Sequence, residues 1–221
     1  MFEAQKKTKN LPQQGKHIHE IENPKFKIDR IMPKIVDREL YRKELLNKCF
    51  EVFAEKGYSS VTMREIASGL GVSTGTLYHY FPSKDSLFEQ LIEYCSYEDT
   101  KEEALAELGN PPTLAERIEK MMEYVAQNQD YILKDMLITF DFCQQKTGKE
   151  IENNQALQKA GKRYEDAVCS YLGISDPAIA IFIINYIDGL VARRFYQGER
   201  ISFTEQANLL KEMLLAYLEK K

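Results

Sequence analysis

From Asp37 onward, apolar residues recur at three- and four-residue spacing, and no stretch shows convincing strand alternation. A chain patterned this way buries its apolar side by packing helix on helix, so the fold class is all-α. The punctuation agrees. Asp37 caps a first helix with Leu45, Leu46, Cys49, Phe50 and Phe53 on one stripe, and Gly57 ends it. Thr62, with Glu65 three residues on, makes a capping box for a short second helix whose inner face is Ile66, Ala67 and Leu70. Ser73 caps a third that stops before Pro82, and Ser83 caps a fourth that runs to about residue 107. Helical patterns follow from Thr113 (with a continuation or kink near Asn128–Asp130), over 131–146, over 149–172, from Asp176-Pro177 to Gln197, and over 204–220. The sum is about nine helices.

Charge divides the chain. The 221 residues carry −4 overall, but residues 1–33 carry +3, residues 34–84 carry +2 and residues 85–221 carry −9. The front can therefore approach a polyanion that the back would repel. Three segments follow: a flexible basic N-terminal extension over 1–33, read either as a floppy tail or as an arm touching a DNA groove; a small helical domain over 34–84; and a larger helical domain over 85–221. No apolar run approaches the roughly 20 residues of a membrane span, and the N-terminus has no apolar signal core. Cys49, Cys95, Cys143 and Cys169 form no CxxC pair, which points to reduced thiols in a cytoplasmic protein and to no metal site. There is no Ser-His-Asp set, no Gly-rich phosphate loop after a strand and no HExxH. An enzyme is not expected, nor a cofactor.

Three short helices over 37–81, with a glycine turn (Gly69-Leu70-Gly71-Val72) between the second and third, fit a helix-turn-helix. The reader helix is Ser73-Thr-Gly-Thr-Leu-Tyr-His-Tyr-Phe81. Leu77 and Phe81 face inward. Ser73, Thr74, Thr76, Tyr78 and His79 offer hydroxyls, a phenol and an imidazole to phosphates and base edges, and Gly75 removes a side chain where the helix nears a groove floor. Lys84, in the first turn of the next helix, is placed to clamp a phosphate. Arg64 can reach a phosphate or a guanine.

The segment Ala54–Ile92, with Val-Thr-Met-Arg-Glu-Ile-Ala, Leu-Gly-Val-Ser-Thr-Gly-Thr-Leu-Tyr-His-Tyr-Phe and Pro-Ser-Lys-Asp-Ser-Leu-Phe, resembles the DNA-binding domain of the TetR/AcrR family of bacterial transcriptional regulators. The resemblance covers about 50 residues. It implies a homodimer with one recognition helix per subunit, set in successive major grooves of a near-palindromic operator. It also implies DNA contacts at Arg64, Ser73, Thr74, Thr76, Tyr78, His79 and Lys84, with Thr62 capping and touching phosphate and Tyr80 secondary. Repression is the family's default mode.

The remaining chain matches the family in length and helical character alone. The resemblance implies dimerisation through the last two helices, with Phe182, Tyr186, Leu190, Leu210, Met213, Leu214 and Tyr217 as candidates. It also implies a cavity among the middle helices for an apolar or amphipathic effector that releases DNA, acting through the fourth helix. Met and aromatic residues suit such a cavity: Tyr94, Met121, Met122, Tyr124, Phe140, Phe142, Cys143 and Tyr164. Asp141, Asn185 and Asp188 lie in apolar helical stretches and could add polar contacts. An acidic cavity would suit a cationic or amphipathic ligand. The alternative is a helical ligand-binding protein, or a thiol sensor using Cys95 or Cys143, with weak or lost DNA binding.

Overall fold

The structure, a computed structural model, describes residues 37–219, so the expected N-terminal extension lies outside the described residues. Among these there are eleven α-helices, one 3-10 turn (Gly198–Arg200) and no strand. The helices are α1 (Arg38–Lys56), α2 (Met63–Leu70), α3 (Thr74–Tyr80), α4 (Lys84–Thr100), α5 (Glu102–Glu107), α6 (Leu114–Gln127), α7 (Gln129–Gln144), α8 (Gly148–Glu152), α9 (Gln155–Leu172), α10 (Pro177–Gln197) and α11 (Phe203–Leu218).

Local side-chain chemistry starts most of them. The carboxylate of Asp37 accepts from the Glu39 and Leu40 amides at the head of α1. Thr62 with Glu65 and Thr113 with Glu116 complete reciprocal capping boxes at α2 and α6. Asp176 caps α10, where Pro177 fills a position whose amide has no partner to lose. Three boundaries differ from the sequence expectation. The fourth helix stops at Thr100: Thr100 Oγ1 bonds back to the Ser96 carbonyl at 2.6 Å, Lys101 turns extended, and α5 follows as a separate piece. The 149–172 pattern is cut in two. Thr147 and Glu150 box off the single turn of α8, and Asn154 starts α9 afresh by accepting from the Leu157 amide. The last helix opens at Ser202, not Thr204, because the Ser202 hydroxyl accepts from Glu205 N.

Two cores hold the helices together. One gathers Leu45, Leu46, Phe53, Ile66, Leu77, Phe81, Leu87 and Phe88 from α1–α4 and adds Ile138 and Phe142 from α7 and Ala160 from α9. Tyr58 sits at its centre, with ring centroids 5.1–5.6 Å from Phe53, Phe88 and Phe142, and Phe88 stacks on Phe142 at 3.9 Å. The first four helices are therefore packed against α7 by shared aromatic burial rather than hung from a linker. The second core joins α6, α10 and α11 through Ile118, Met122, Ile183, Leu190, Leu210 and Leu214, with Leu172 closing it from α9. No single helix among the described residues is long and apolar enough to cross a membrane.

Candidate functional site

The geometry of α2, α3 and the turn between them follows from a few residues. Gly71 adopts φ +70, the left-handed conformation that closes α2, and Val72 N bonds the Ala67 carbonyl at 3.0 Å. Leu77 and Phe81, both fully buried, pin α3 from beneath. What remains on top is the predicted reading face. Ser73, Gly75, Tyr78 and His79 are exposed, while Thr74 and Thr76 are half-buried. Ser73 Oγ accepts from the Thr76 amide at 2.9 Å and shares a hydrogen bond with Thr76 Oγ1 at 2.8 Å, so the cap and the first turn are ordered together. Nothing but Ser73 Oγ at 3.8 Å lies near the point where a Gly75 side chain would begin, leaving that face of α3 open. Arg64 is exposed, with no hydrogen bond or ion pair to any described residue. Thr62 Oγ1 is committed to Glu65 at 2.7 Å. Tyr80 packs edge-on against Tyr41 at 5.6 Å.

Lys84 makes contacts that the sequence did not show. Its ammonium donates to the carbonyls of Tyr58 at 2.9 Å and Val61 at 3.0 Å and lies 4.4 Å from the centre of the Tyr58 ring. These two carbonyls take two of the ammonium's three donors. In this geometry Lys84 ties the start of α4 to the segment that leads into α2. Sequence spacing placed Lys84 at a helix start but held no trace of the carbonyls that fold against it.

A cavity of about 350 Å³ lies among α4, α5, α6, α7, α9 and α10. Met121, Tyr124, Phe140 and Tyr164 line it, as expected. Tyr94, Met122, Phe142 and Cys143 do not: Met122 belongs to the second core, and the other three pack in or against the first. Of the polar candidates, Asp188 lines the cavity, Asn185 is exposed, and Asp141 instead accepts from the Ser59 amide at 2.9 Å. Two lining carboxylates escaped sequence reading, Asp99 and Asp135. Asp99 accepts from Tyr164 Oη at 2.7 Å and Tyr131 Oη at 3.2 Å. Burial pushes its pKa upward, and these two bonds oppose the shift. Burial pushes Asp135 up to about 7, and the neighbouring charges of Asp99 and Asp188 add to the shift. Asp188 is raised by burial. An aspartate inside a helical pattern reads as a solvated face, so only tertiary placement reveals these groups.

Three of the thiols are held toward the protonated, unreactive form. Burial pushes both Cys49 and Cys95 up to about 12, away from the thiolate, and it also raises Cys143.

Against this geometry, residues 45–91 match the family described as bacterial regulatory proteins, tetR family. The DNA-binding domain belongs to the TetR family. It is the helix-turn-helix of transcriptional regulators, and relatives of the TetR domain include named repressors. The chain is 38% identical over 65 residues to the transcriptional repressor KstR2 of Mycobacterium tuberculosis, covering 29% of this chain and 31% of that one. The match thus spans less than a third of that repressor's length. A longer match, 28% identical over 185 residues, is to the nucleoid occlusion factor SlmA of Actinobacillus pleuropneumoniae, covering 72% of this chain and 85% of that one. The fold is shared with a TetR transcriptional regulator from Legionella pneumophila (TM-score 0.59, 17% identity, 77% of this chain and 94% of that one). It is also shared with the transcriptional regulator FadR of Bacillus subtilis, solved with stearoyl-CoA (TM-score 0.56, 21% identity, 79% and 97%).

The last two helices of the chain carry two apolar faces each. Leu190, Leu210 and Leu214 are buried in the chain's own core. Tyr186 is half-buried, its hydroxyl bonded to Gln206. Phe182, Met213 and Tyr217 instead point outward at 46–53% exposure, and Ile181 and Leu209 are exposed beside them in sequence.

Proposed function

We propose that the protein is a transcriptional repressor that binds a near-palindromic operator as a homodimer and releases it when a small molecule fills the cavity. The observation that carries this reading is α3 itself. A seven-residue helix is pinned by Leu77 and Phe81 and presents Thr74, Gly75, Thr76, Tyr78 and His79 above a buried base. In the complex, α3 enters the major groove, Tyr78 and His79 bond phosphates or base edges, and Ser73, Thr74 and Thr76 set the helix start against the backbone. Arg64 supplies a cation with no partner among the described residues, and Lys84 ties the start of α4 to the Tyr58–Val61 segment. The reader has no Asn or Gln, so phosphate contacts and DNA shape carry much of the affinity. The outward face of α10 and α11, with Phe182, Met213 and Tyr217, pairs with its copy across a two-fold axis. The protein then works in the cytoplasm, beside its DNA.

The release step runs through α7. Tyr131, Asp135, Thr139 and Phe140 of this helix line the cavity. The same helix holds the DNA-binding helices: Asp141 accepts from Ser59 N, Lys146 just past its end pairs with Asp85 at 2.5 Å, and Phe142 stacks on Phe88. A ligand that fits the cavity best with α7 displaced therefore favours a conformation in which the two readers no longer match successive grooves. The solved complex of FadR with stearoyl-CoA supports a ligand site within this fold. The SlmA match, which extends beyond the DNA-binding domain, supports a common two-part organisation.

The test is selection of bound sequences from a random duplex pool at near-physiological salt, beside the Arg64→Ala/Tyr78→Ala variant. An enriched inverted repeat, lost in the variant, is expected. No enrichment by ligand-stripped protein would refute the reading and favour a helical ligand-binding protein that has lost DNA.

A further inference from the structure

The cavity is lined by three carboxylates, Asp99, Asp135 and Asp188, and by no Lys, Arg or His among the described residues. Helices around it do carry cations, but these are turned elsewhere. Lys134 on α7 pairs with Glu51, Arg163 on α9 donates to the Glu93 carbonyl and Ser96, and Arg194 on α10 donates to Gln129. Asp99 has two tyrosine donors. Asp135 and Asp188 are half-buried carboxylates on the cavity wall, with no hydrogen-bond or ion-pair partner among the described residues. A carboxylate facing an apolar-walled cavity loses part of its hydration, and an opposite charge in the cavity offsets that cost. The rest of the lining is Met, aliphatic and aromatic, including Tyr124, Tyr164, Tyr171 and Phe140. Ring faces of this kind attract a cation as well as an apolar body.

We propose that the cavity binds an organic cation: an ammonium or similar head seated between Asp135 and Asp188, on an apolar body lying against the Met and aromatic walls. The head supplies the partner these two carboxylates lack. A fatty acid or other anionic amphiphile would put its charge against three like charges and is disfavoured. This deepens the effector reading above and rests on it.

The experiment is calorimetric titration of the full chain with three probes that share a ten-carbon tail: decyltrimethylammonium below its micelle concentration, decan-1-ol and decanoate. The same titrations are run on Asp135→Asn, Asp188→Asn and the double variant. The ammonium is expected to bind at least tenfold more tightly than the alcohol, with decanoate weakest. The double variant is expected to lose at least tenfold in ammonium affinity while keeping its affinity for decan-1-ol, which shows the cavity still folded. Decanoate binding as tightly as the ammonium, no ammonium binding, or full ammonium affinity in the double variant would each overturn the proposal. Operator release is measured separately. Ammonium binding without release would leave the cation site standing and refute the effector reading. Release by decanoate alone would do the reverse.

Discussion

At Gly57, two requirements fall on one residue. It sits at φ +81, ψ 151, a region essentially closed to other residues, and an added Cβ would stand 2.9 Å from Asp141 Oδ2. Gly71 also has positive φ, but nothing lies within 4 Å of its Cβ position. Gly57→Ala is therefore expected to lose roughly 2–4 kcal/mol of stability and to break the Asp141 bond to Ser59, while Gly71→Ala loses roughly 1–2 kcal/mol. Urea titrations of both variants decide it, and equal losses would contradict the close approach. Asp135 makes the opposite kind of prediction. Its pKa is about 7 in the fold and near 4 in an unfolded chain, with Asp99, Asp188 and the Tyr131 and Tyr164 hydroxyls around it. Ionising it in the fold is unfavourable, so the fold's stability falls as pH rises from about 4 to 7 and the penalty stays constant above that. Asp135→Asn should raise stability by a few kcal/mol at pH 8, at about 1.4 kcal/mol per pK unit, and leave it unchanged near pH 4. Thermal unfolding across that range checks the sign. The outward face of the proposed reader helix was legible. The face of α3 follows from Leu77 and Phe81 alone, because a short helix has one inward side. The contacts of Lys84 were not legible, because its partners, the Tyr58 and Val61 carbonyls, are set by the fold and not by spacing.

Among the elements, helix starts were the most legible, since a cap involves a side chain and an amide only two or three residues apart. Asp37, Thr62, Ser73, Ser83, Thr113 and Asp176 all cap where the sequence places them. The breaks at Lys101 and Asn153 were not legible. Each interrupts residues with good helical character, and each depends on a short polar side chain choosing one backbone partner over another. The proposed relay also differs from the one expected from the sequence. The fourth helix reaches the cavity only through Asp99 and Thr100 at its C-terminal end, whereas α7 lines the cavity along much of its length and grips the DNA-binding helices with Asp141 and Phe142. Asp141→Ala is expected to bind effector like the unaltered chain but to release operator at least threefold less completely at saturation. Ligand-titrated fluorescence anisotropy on labelled operator reads both quantities. Unchanged release would move the coupling to α4.

For the whole molecule, all-α architecture was readable because periodicity and caps agree throughout. The cavity was half readable. Met and aromatic residues announce an apolar wall, but its charge comes from Asp99, Asp135 and Asp188 converging from α4, α7 and α10, which are distant in sequence. The proposed assembly uses Phe182, Met213 and Tyr217, which are half exposed on α10 and α11. Met213→Glu is expected to convert dimer to monomer in sedimentation velocity and to weaken operator binding at least tenfold, since a single reader loses half the contacts. An unchanged sedimentation coefficient would place the interface elsewhere. The most direct test of the account is hydroxyl-radical footprinting of the selected operator with the full chain. The account predicts two protected tracts about one helical turn apart, symmetric about the dyad, both absent with Tyr78→Ala. A single unsymmetric tract, or protection that survives Tyr78→Ala, would contradict a dimer that reads DNA through α3.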